Sequence, residues 1–359
     1  MLFRLKTLRA GTLLLAVLAA GAALPSSAAE RTSFNVAWSI YVGWMPWDYA
    51  DRSGILKKWA DKYGIKIKLT QVNEYVESIN QYTAGTFDAC AMTNMDTLTI
   101  PAAGGVDSTA LIVGDFSNGN DGVVLKGKGK TLTDIKGQKV NLVELSVSHY
   151  LLARALESVG MRERDLKVIN TSDADIVAAF SAPSTTAVVA WKPQLSAVLS
   201  APNAQMVFDS SKIPGEILDL MVVKTEVLNA NPKLGKALVG AWYETLAVMF
   251  KNDAAGQAAQ TAMAKASGTD LSGFDRQLAT THVFATPADA YAFVIGDGVI
   301  KSMDQVRKFS FEHGILGQGA SSVDAVGIQF PAGKSLGDTR NQKMRFDSSF
   351  SKLAMDGKL

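Results

Sequence analysis

Acidic and aromatic side chains recur where apolar runs give way to polar residues, a combination suited to holding a small cation. After the run 34–40 come Ser39, Tyr41, Trp44, Trp47 and Asp48; after 65–71 come Asn73, Glu74 and Tyr75; after 87–92 come Thr93, Asn94 and Asp96. Further along stand Asp115, Ser117, Asn118 and Asp121, then Glu144, Ser146, Ser148 and His149, then Trp191, Lys192 and Asp209. The set is rich in carboxylates, lacks arginine, and has Lys192 as its single firm cation. A site for nitrate, sulfonate or phosphate calls for Arg or several convergent donors. A cation instead gains about 0.5 to 2 kcal/mol from each aromatic face it meets. Glu74, Asp96, Asp115 and Glu144 are the expected carboxylates, with Tyr41, Trp44, Trp47 and Trp191 as walls and Ser39, Asn94 and Ser146 as polar neighbours.

Plainer roles compete for some of these positions. Asp48 and Asp96 stand where helices should begin, and a carboxylate there caps free amides with or without a ligand. Trp38 lies inside a strand pattern, and Trp59 and Trp242 fall at helical core spacing, so all three are assigned to packing. Trp44 and Trp47, separated by Met45-Pro46 in a Gly-initiated loop, are harder to bury and are assigned to the site.

Catalytic chemistry finds little support. Cys90 sits in Asp88-Ala89-Cys90-Ala91-Met92, a strand context in which a thiol behaves as a small buried hydrophobe. His149, His282 and His313 are scattered, and no His or Cys spacing suggests a metal site. Gly127-Lys128-Gly129-Lys130 lacks the strand-to-helix setting and the terminal Ser or Thr of a phosphate loop, and reads as an exposed turn. The expectation is a protein that is not an enzyme and carries no cofactor or metal.

The elements that must position these residues alternate short apolar runs with longer helical patterns, the arrangement of an α/β protein. Strands are expected at 34–40, 65–71, 87–92 and 109–113, with helices over 48–63 and 77–83 and another starting at 96–102. The polar stretch 114–122 reads as a crossover, after which the pattern begins again with strands at 123–126, 139–142, 166–169 and 187–190 and helices at 148–160 and 175–180. One more strand, 218–223, precedes a long helix opened by Asn231-Pro232 and running through Phe250, with Pro at a first-turn position that tolerates its missing amide. The remainder is expected to be mostly helical. The chain thus leaves a first lobe near Gly114 and returns near Leu218, giving a two-lobe fold, each lobe a sheet flanked by helices, with a hinge of two crossings. The expected boundaries are 30–116 and 220–359 for the first lobe, with its C-terminal helices, and 117–219 for the second.

Arg4, Lys6 and Arg9 precede an almost uncharged run over 10–24, and Ser27-Ala28-Ala29 supplies small residues before Glu30. That run is shorter than the about 20 residues a spanning helix needs, so residues 1–29 read as a cleaved secretory signal peptide. Removing its three basic groups takes the formal charge from +2 to −1. No polybasic face remains, which argues against nucleic acid as a partner. The lone Cys90 permits an oxidising compartment but no internal disulfide.

Several segments resemble those of a known family. Ala50-Asp51-Arg52-Ser53-Gly54-Ile55-Leu56, Gly85-Thr86-Phe87-Asp88, Leu132-Thr133-Asp134-Ile135-Lys136-Gly137-Gln138-Lys139-Val140 and Asn231-Pro232 are similar to segments of the periplasmic substrate-binding components of ABC transporters of the nitrate/sulfonate/taurine type, over about 34–250. Trp38-Ser39-Ile40-Tyr41-Val42-Gly43-Trp44-Met45-Pro46-Trp47 and Arg345-Phe346-Asp347-Ser348-Ser349-Phe350 resemble the branch linked to uptake systems beside urea or guanidine carboxylases. The resemblance implies the type II periplasmic-binding-protein fold and a periplasmic, monomeric binder that delivers a small nitrogenous solute to an ABC permease and its ATPase. The branch points to guanidinium or urea, and the acidic, arginine-poor loops favour guanidinium. The alternative is a sulfonate, taurine, nitrate or pyrimidine thiamine-precursor binder.

Overall fold

The computed structural model describes residues 31–317 and 319–359; the expected signal peptide at 1–29 lies outside them. The chain opens with β1 (Ser33–Trp38), β2 (Lys66–Gln71), β3 (Ala89–Thr93) and β4 (Ser108–Ser117). It then forms β5 (Asp121–Lys126), β6 (Lys139–Leu142), β7 (Lys167–Asn170), β8 (Ala187–Trp191) and β9 (Ala204–Asp209). The last group is β10 (Leu218–Lys224), β11 (Thr281–Val283), β12 (Gly327–Gln329), β13 (Ser335–Leu336) and β14 (Gln342–Phe346). Among the described residues these strands make two sheets. One runs β13-β12-β14-β4-β10-β3-β1-β2, with β11 also on β4; the other runs β7-β6-β8-β5-β9.

Each sheet has a strand of reversed direction set among parallel neighbours. β10 lies antiparallel between β3 and β4, and β5 lies antiparallel between β8 and β9. Both of these strands follow a connection from the other sheet. Three residues, 118–120, join β4 to β5, and 210–217 join β9 back to β10.

The expected elements are present with shifted ends, and the departures have local causes. The helix expected over 48–63 is two helices, Met45–Arg52 and Ile55–Lys62, because Gly54 adopts a left-handed φ of 80° that ends the first and starts the second. The stretch expected as a crossover is mostly strand. β4 continues through Ser117 because β10 and β11 pair with it on either side, so its polar residues stand in a ladder rather than a loop. The helix Pro232–Met249 begins at proline, as its sequence implies. The region beyond it holds helices Ala254–Ala266, Leu271–Leu278, Pro287–Ile295 and Asp297–Glu312, but also the short strands β11 to β14 that extend the first sheet. No helix among the described residues is long and apolar enough to cross a membrane.

Candidate functional site

Strand register brings the site together before any side chain is considered. β10 sits between β3 and β4, so Asp219 at its start is the cross-strand partner of both Thr93 and Asp115 at the ends of theirs. On the other sheet Asp121, at the start of β5, lies opposite Trp191, at the end of β8. The two sheets meet at these strand ends, leaving a small cavity of about 20 Å³ between them. Its wall is made of Tyr41, Trp44, Tyr75, Thr93, Asp121, Val147, Trp191, Ile217 and Asp219. None of these is basic.

Two carboxylates line this space and two more stand directly behind it. Asp96 is fully buried and accepts from the Tyr75 hydroxyl at 2.6 Å and from Thr93 Oγ1 at 2.8 Å. Asp115, also fully buried, accepts from the Tyr41 hydroxyl at 3.2 Å. Asp121 accepts from Ser117 Oγ, which also meets Ser210 Oγ at 2.6 Å. Burial disfavours the charged form of each. It pushes Asp96 and Asp121 up to about 6, even with their hydroxyl donors opposing the shift. Asp219 is driven well above the usual carboxylate range by burial and by Asp115 beside it, so it holds the proton that the pair shares. Lys192, the nearby cation, is buried; it donates to Thr280 Oγ1 at 2.7 Å, and burial lowers its affinity for its proton.

The rings close around the acids. Tyr41 meets Trp44 edge-on at 5.1 Å between centroids, Trp44 meets Tyr75 at 5.7 Å, and Tyr75 meets Trp191 at 5.5 Å. The hydroxyl protons of Tyr41 and Tyr75 and the Thr93 hydroxyl proton are all committed to Asp115 and Asp96. Their oxygens also accept, from Asn120 Nδ2, the Thr93 amide and the Asp96 amide, so these hydroxyls have no proton to spare for a guest. Of the wall residues, Trp44 has a buried donor, Nε1, without a partner. Unmet buried polar atoms cost about 1 to 3 kcal/mol each, so they mark where a guest would supply the missing bonds.

Other residues expected in the site are placed elsewhere. Trp47 packs at a tilt against Trp242, 4.9 Å between centroids, in the core of the first lobe. Asn94 Nδ2 donates to the Glu216 carbonyl and its Oδ1 accepts from the Leu218 amide, both at 3.0 Å, which fixes the start of β10 rather than a guest. Ser146 caps the helix Val147–Ser158 through the amide of Ser148. Ser39 is buried but outside the cavity wall. Glu144 is exposed. Glu74 is half-buried and lies beside Asp173 of the second lobe, a carboxyl pushed up to about 6 by burial and by Glu74. Cys90 is fully buried, its thiol pushed up to about 12, in keeping with a packing role. Asp219 was not foreseen. Its signal is a lone acid in the apolar run Leu218-Asp219-Leu220-Met221-Val222-Val223, where an unpaired charge is too costly to bury without a reason.

The chain is similar to known proteins along part or most of its length. A stretch of 84 residues, 23% of this chain and 26% of the relative, is 34% identical to an Escherichia coli (strain K12) protein named "Putative aliphatic sulfonates-binding protein". Matches to curated relatives cover 26% to 44% of those proteins' lengths, so the chain aligns with less than half of each. Among solved structures, the alkanesulfonate-binding protein SsuA from Xanthomonas axonopodis pv. citri, bound to MOPS, superposes with a TM-score of 0.65 at 18% identity, over 80% of this chain and 96% of that one. The periplasmic nitrate-binding protein NrtA from Synechocystis PCC 6803 superposes with a TM-score of 0.67 at 11% identity, over 91% and 89%. The two sheets with flanking helices are the fold of these periplasmic binding proteins. Residues 55–255 match the family described as NMT1/THI5 like, and the chain belongs to that family.

Proposed function

We propose that this protein is the solute-capturing component of an ABC importer, exported to the periplasm, and that its two lobes close over a small nitrogen-rich cation, guanidinium ahead of urea. The observation that carries this reading is the polarity of the cavity wall. Asp121 and Asp219 line it, and the hydroxyls of Tyr41, Tyr75 and Thr93 already spend their protons on Asp115 and Asp96. A wall that presents acceptors suits guanidinium, which is planar and has donors only. The rings of Tyr41, Trp44, Tyr75 and Trp191 supply the faces that stabilise such a cation. Nitrate or a sulfonate would bring negative charge to a wall whose ionisable groups include two aspartates and no base. The tight cavity also favours a guest of a few heavy atoms over a bulky one.

Urea comes second because the buried Trp44 Nε1 is a side-chain donor in the wall that its carbonyl could use. It brings no charge to offset the aspartates, whose mutual repulsion then persists. At a ceiling near 1.5 kcal/mol per heavy atom, urea reaches at most about −6 kcal/mol, a Kd of tens of micromolar, and the charge of guanidinium lets the ion exceed that rule. Calorimetry against guanidinium, urea, taurine and nitrate tests the reading. Guanidinium should bind about tenfold or more tightly than urea, and equal or tighter binding of urea or either anion rejects the proposal.

Gly43 offers a second test. A Cβ there would collide with Asp115 Oδ2 and the Tyr41 ring, so the close approach of backbone to carboxylate requires glycine. Gly43→Ala should displace both groups and weaken guanidinium binding by about tenfold or more, in line with losing one charge-assisted hydrogen bond. Unchanged affinity in the same titration would place the guest away from Asp115.

A further inference from the structure

We propose that His149, Glu163 and His313 form a zinc-class metal site that joins the two lobes, separate from the guest cavity and independent of what that cavity binds. The three residues are far apart in sequence, yet one ligand atom from each lies within 4.8 Å of the others. His149 is on the helix Val147–Ser158 and Glu163 follows it, both in the second lobe. His313 ends the helix Asp297–Glu312, whose Met303 Sδ lies 3.5 Å from Asn94 Nδ2 in the first lobe.

Two ring nitrogens from distant parts of the chain converge on one carboxylate oxygen. His313 Nδ1 lies 3.0 Å from the Phe309 carbonyl oxygen, which can only accept, so that nitrogen carries the proton. Its Nε2 lies 3.0 Å from Glu163 Oε2. His149 Nε2 reaches the same oxygen at 2.9 Å. A metal ion that took both Nε2 atoms and Glu163 Oε2 would replace these hydrogen bonds with ligation. The bond from His313 Nδ1 to a backbone carbonyl is the outer-shell contact that orients a metal-bound imidazole.

Two imidazoles and one carboxylate suit Zn²⁺, whereas Mg²⁺ and Ca²⁺ take oxygen donors. The Glu163 and His313 side chains are partly exposed, 37% and 22%, beside a wide groove, so water can supply a fourth ligand. Arg154, Arg162, Arg164 and Lys308 share that groove with Glu157 and Glu312. Arg154 is neutralised by Glu216 and Lys308 by Asp304, which limits their repulsion of a metal. One local change is required. His149 Nδ1 accepts from the Leu145 amide at 3.1 Å, so on ligation the ring proton moves from Nε2 to Nδ1 and that amide must turn away. Leu145 is 43% exposed and held at a φ of 62°, a conformation leucine rarely adopts, so this turn relaxes when released.

The experiment uses the full protein stripped of metal, with no guest added, titrated with Zn²⁺, Co²⁺, Mg²⁺ and Ca²⁺. Zn²⁺ at about a hundred times its Kd should raise the melting temperature by about 5 °C. Co²⁺ should develop the visible absorption of a four-coordinate site, with Mg²⁺ and Ca²⁺ inert. Glu163→Gln and His313→Gln should each weaken Zn²⁺ binding about tenfold or more while leaving the metal-free melting temperature near that of the parent. Zn²⁺ no better than Mg²⁺, or parental Zn²⁺ binding in both variants, overturns the proposal. Because the readout needs no guest, its failure is distinct from failure of the cation-capture reading.

Discussion

Asp121→Asn should weaken guanidinium binding by about tenfold to a hundredfold and at the same time stabilise the unliganded protein at pH 8. The loss follows from removing one charge-assisted hydrogen bond, about 1.5 to 3 kcal/mol. The gain follows because Asp121 is nearly fully buried, has its proton affinity raised to about 6 by that burial, and faces further repulsion from Asp96. An amide keeps the shape and a partner for Ser117 without the buried charge. A residue with a purely structural role would lose stability on substitution, so opposite signs in calorimetry and thermal melting identify a binding carboxylate. Lower stability with unchanged affinity would assign Asp121 to the scaffold.

The second large effect is on pH. Asp96 and Asp121 are raised from 3.8 to about 6, so each holds its proton more tightly folded than unfolded. The stabilisation this gives is complete below about pH 4 and disappears as pH rises through 6. The difference is on the order of 3 kcal/mol for each buried group. Unliganded protein should therefore melt several degrees lower at pH 8 than at pH 5. Carboxylates held below the usual range by hydrogen-bonding partners, such as Asp297 with Lys334 and Asp304 with Lys308, act in the opposite sense but below pH 4, outside this window. Guanidinium favours the ionised acids, so its affinity should fall about tenfold per carboxylate between pH 7 and pH 5. At millimolar levels, far below denaturing ones, it should raise the melting temperature more at pH 8 than at pH 5. A melting temperature that climbs from pH 5 to pH 8 without ligand contradicts this account.

Much of this arrangement was legible from residue order. Apolar runs followed by polar residues located the strand ends, and with them Tyr41, Trp44, Asp96, Asp115 and Trp191 around one point. What escaped depended on pairing. Asp219 is hidden in an apolar run, and only the antiparallel insertion of β10 between β3 and β4 sets it against Asp115. Trp47 follows Trp44 closely, but the chain passes from a tight turn, Val42–Trp44, into the helix Met45–Arg52, which carries Trp47 onto Trp242 instead. Glu144 has the expected position after a strand but faces solvent, beside a backbone turn at Leu145. Glu163 gave no sign of its two histidine neighbours, because contacts across 14 and 150 positions belong to tertiary structure alone.

The shared proton of Asp115 and Asp219 would couple binding to proton release. While the two carboxyls hold one proton between them they avoid facing each other as two bare charges, and a positive group arriving beside them would let that proton leave. Capture of a cation should therefore release a proton to solvent, which calorimetry in buffers of different ionisation heat would read.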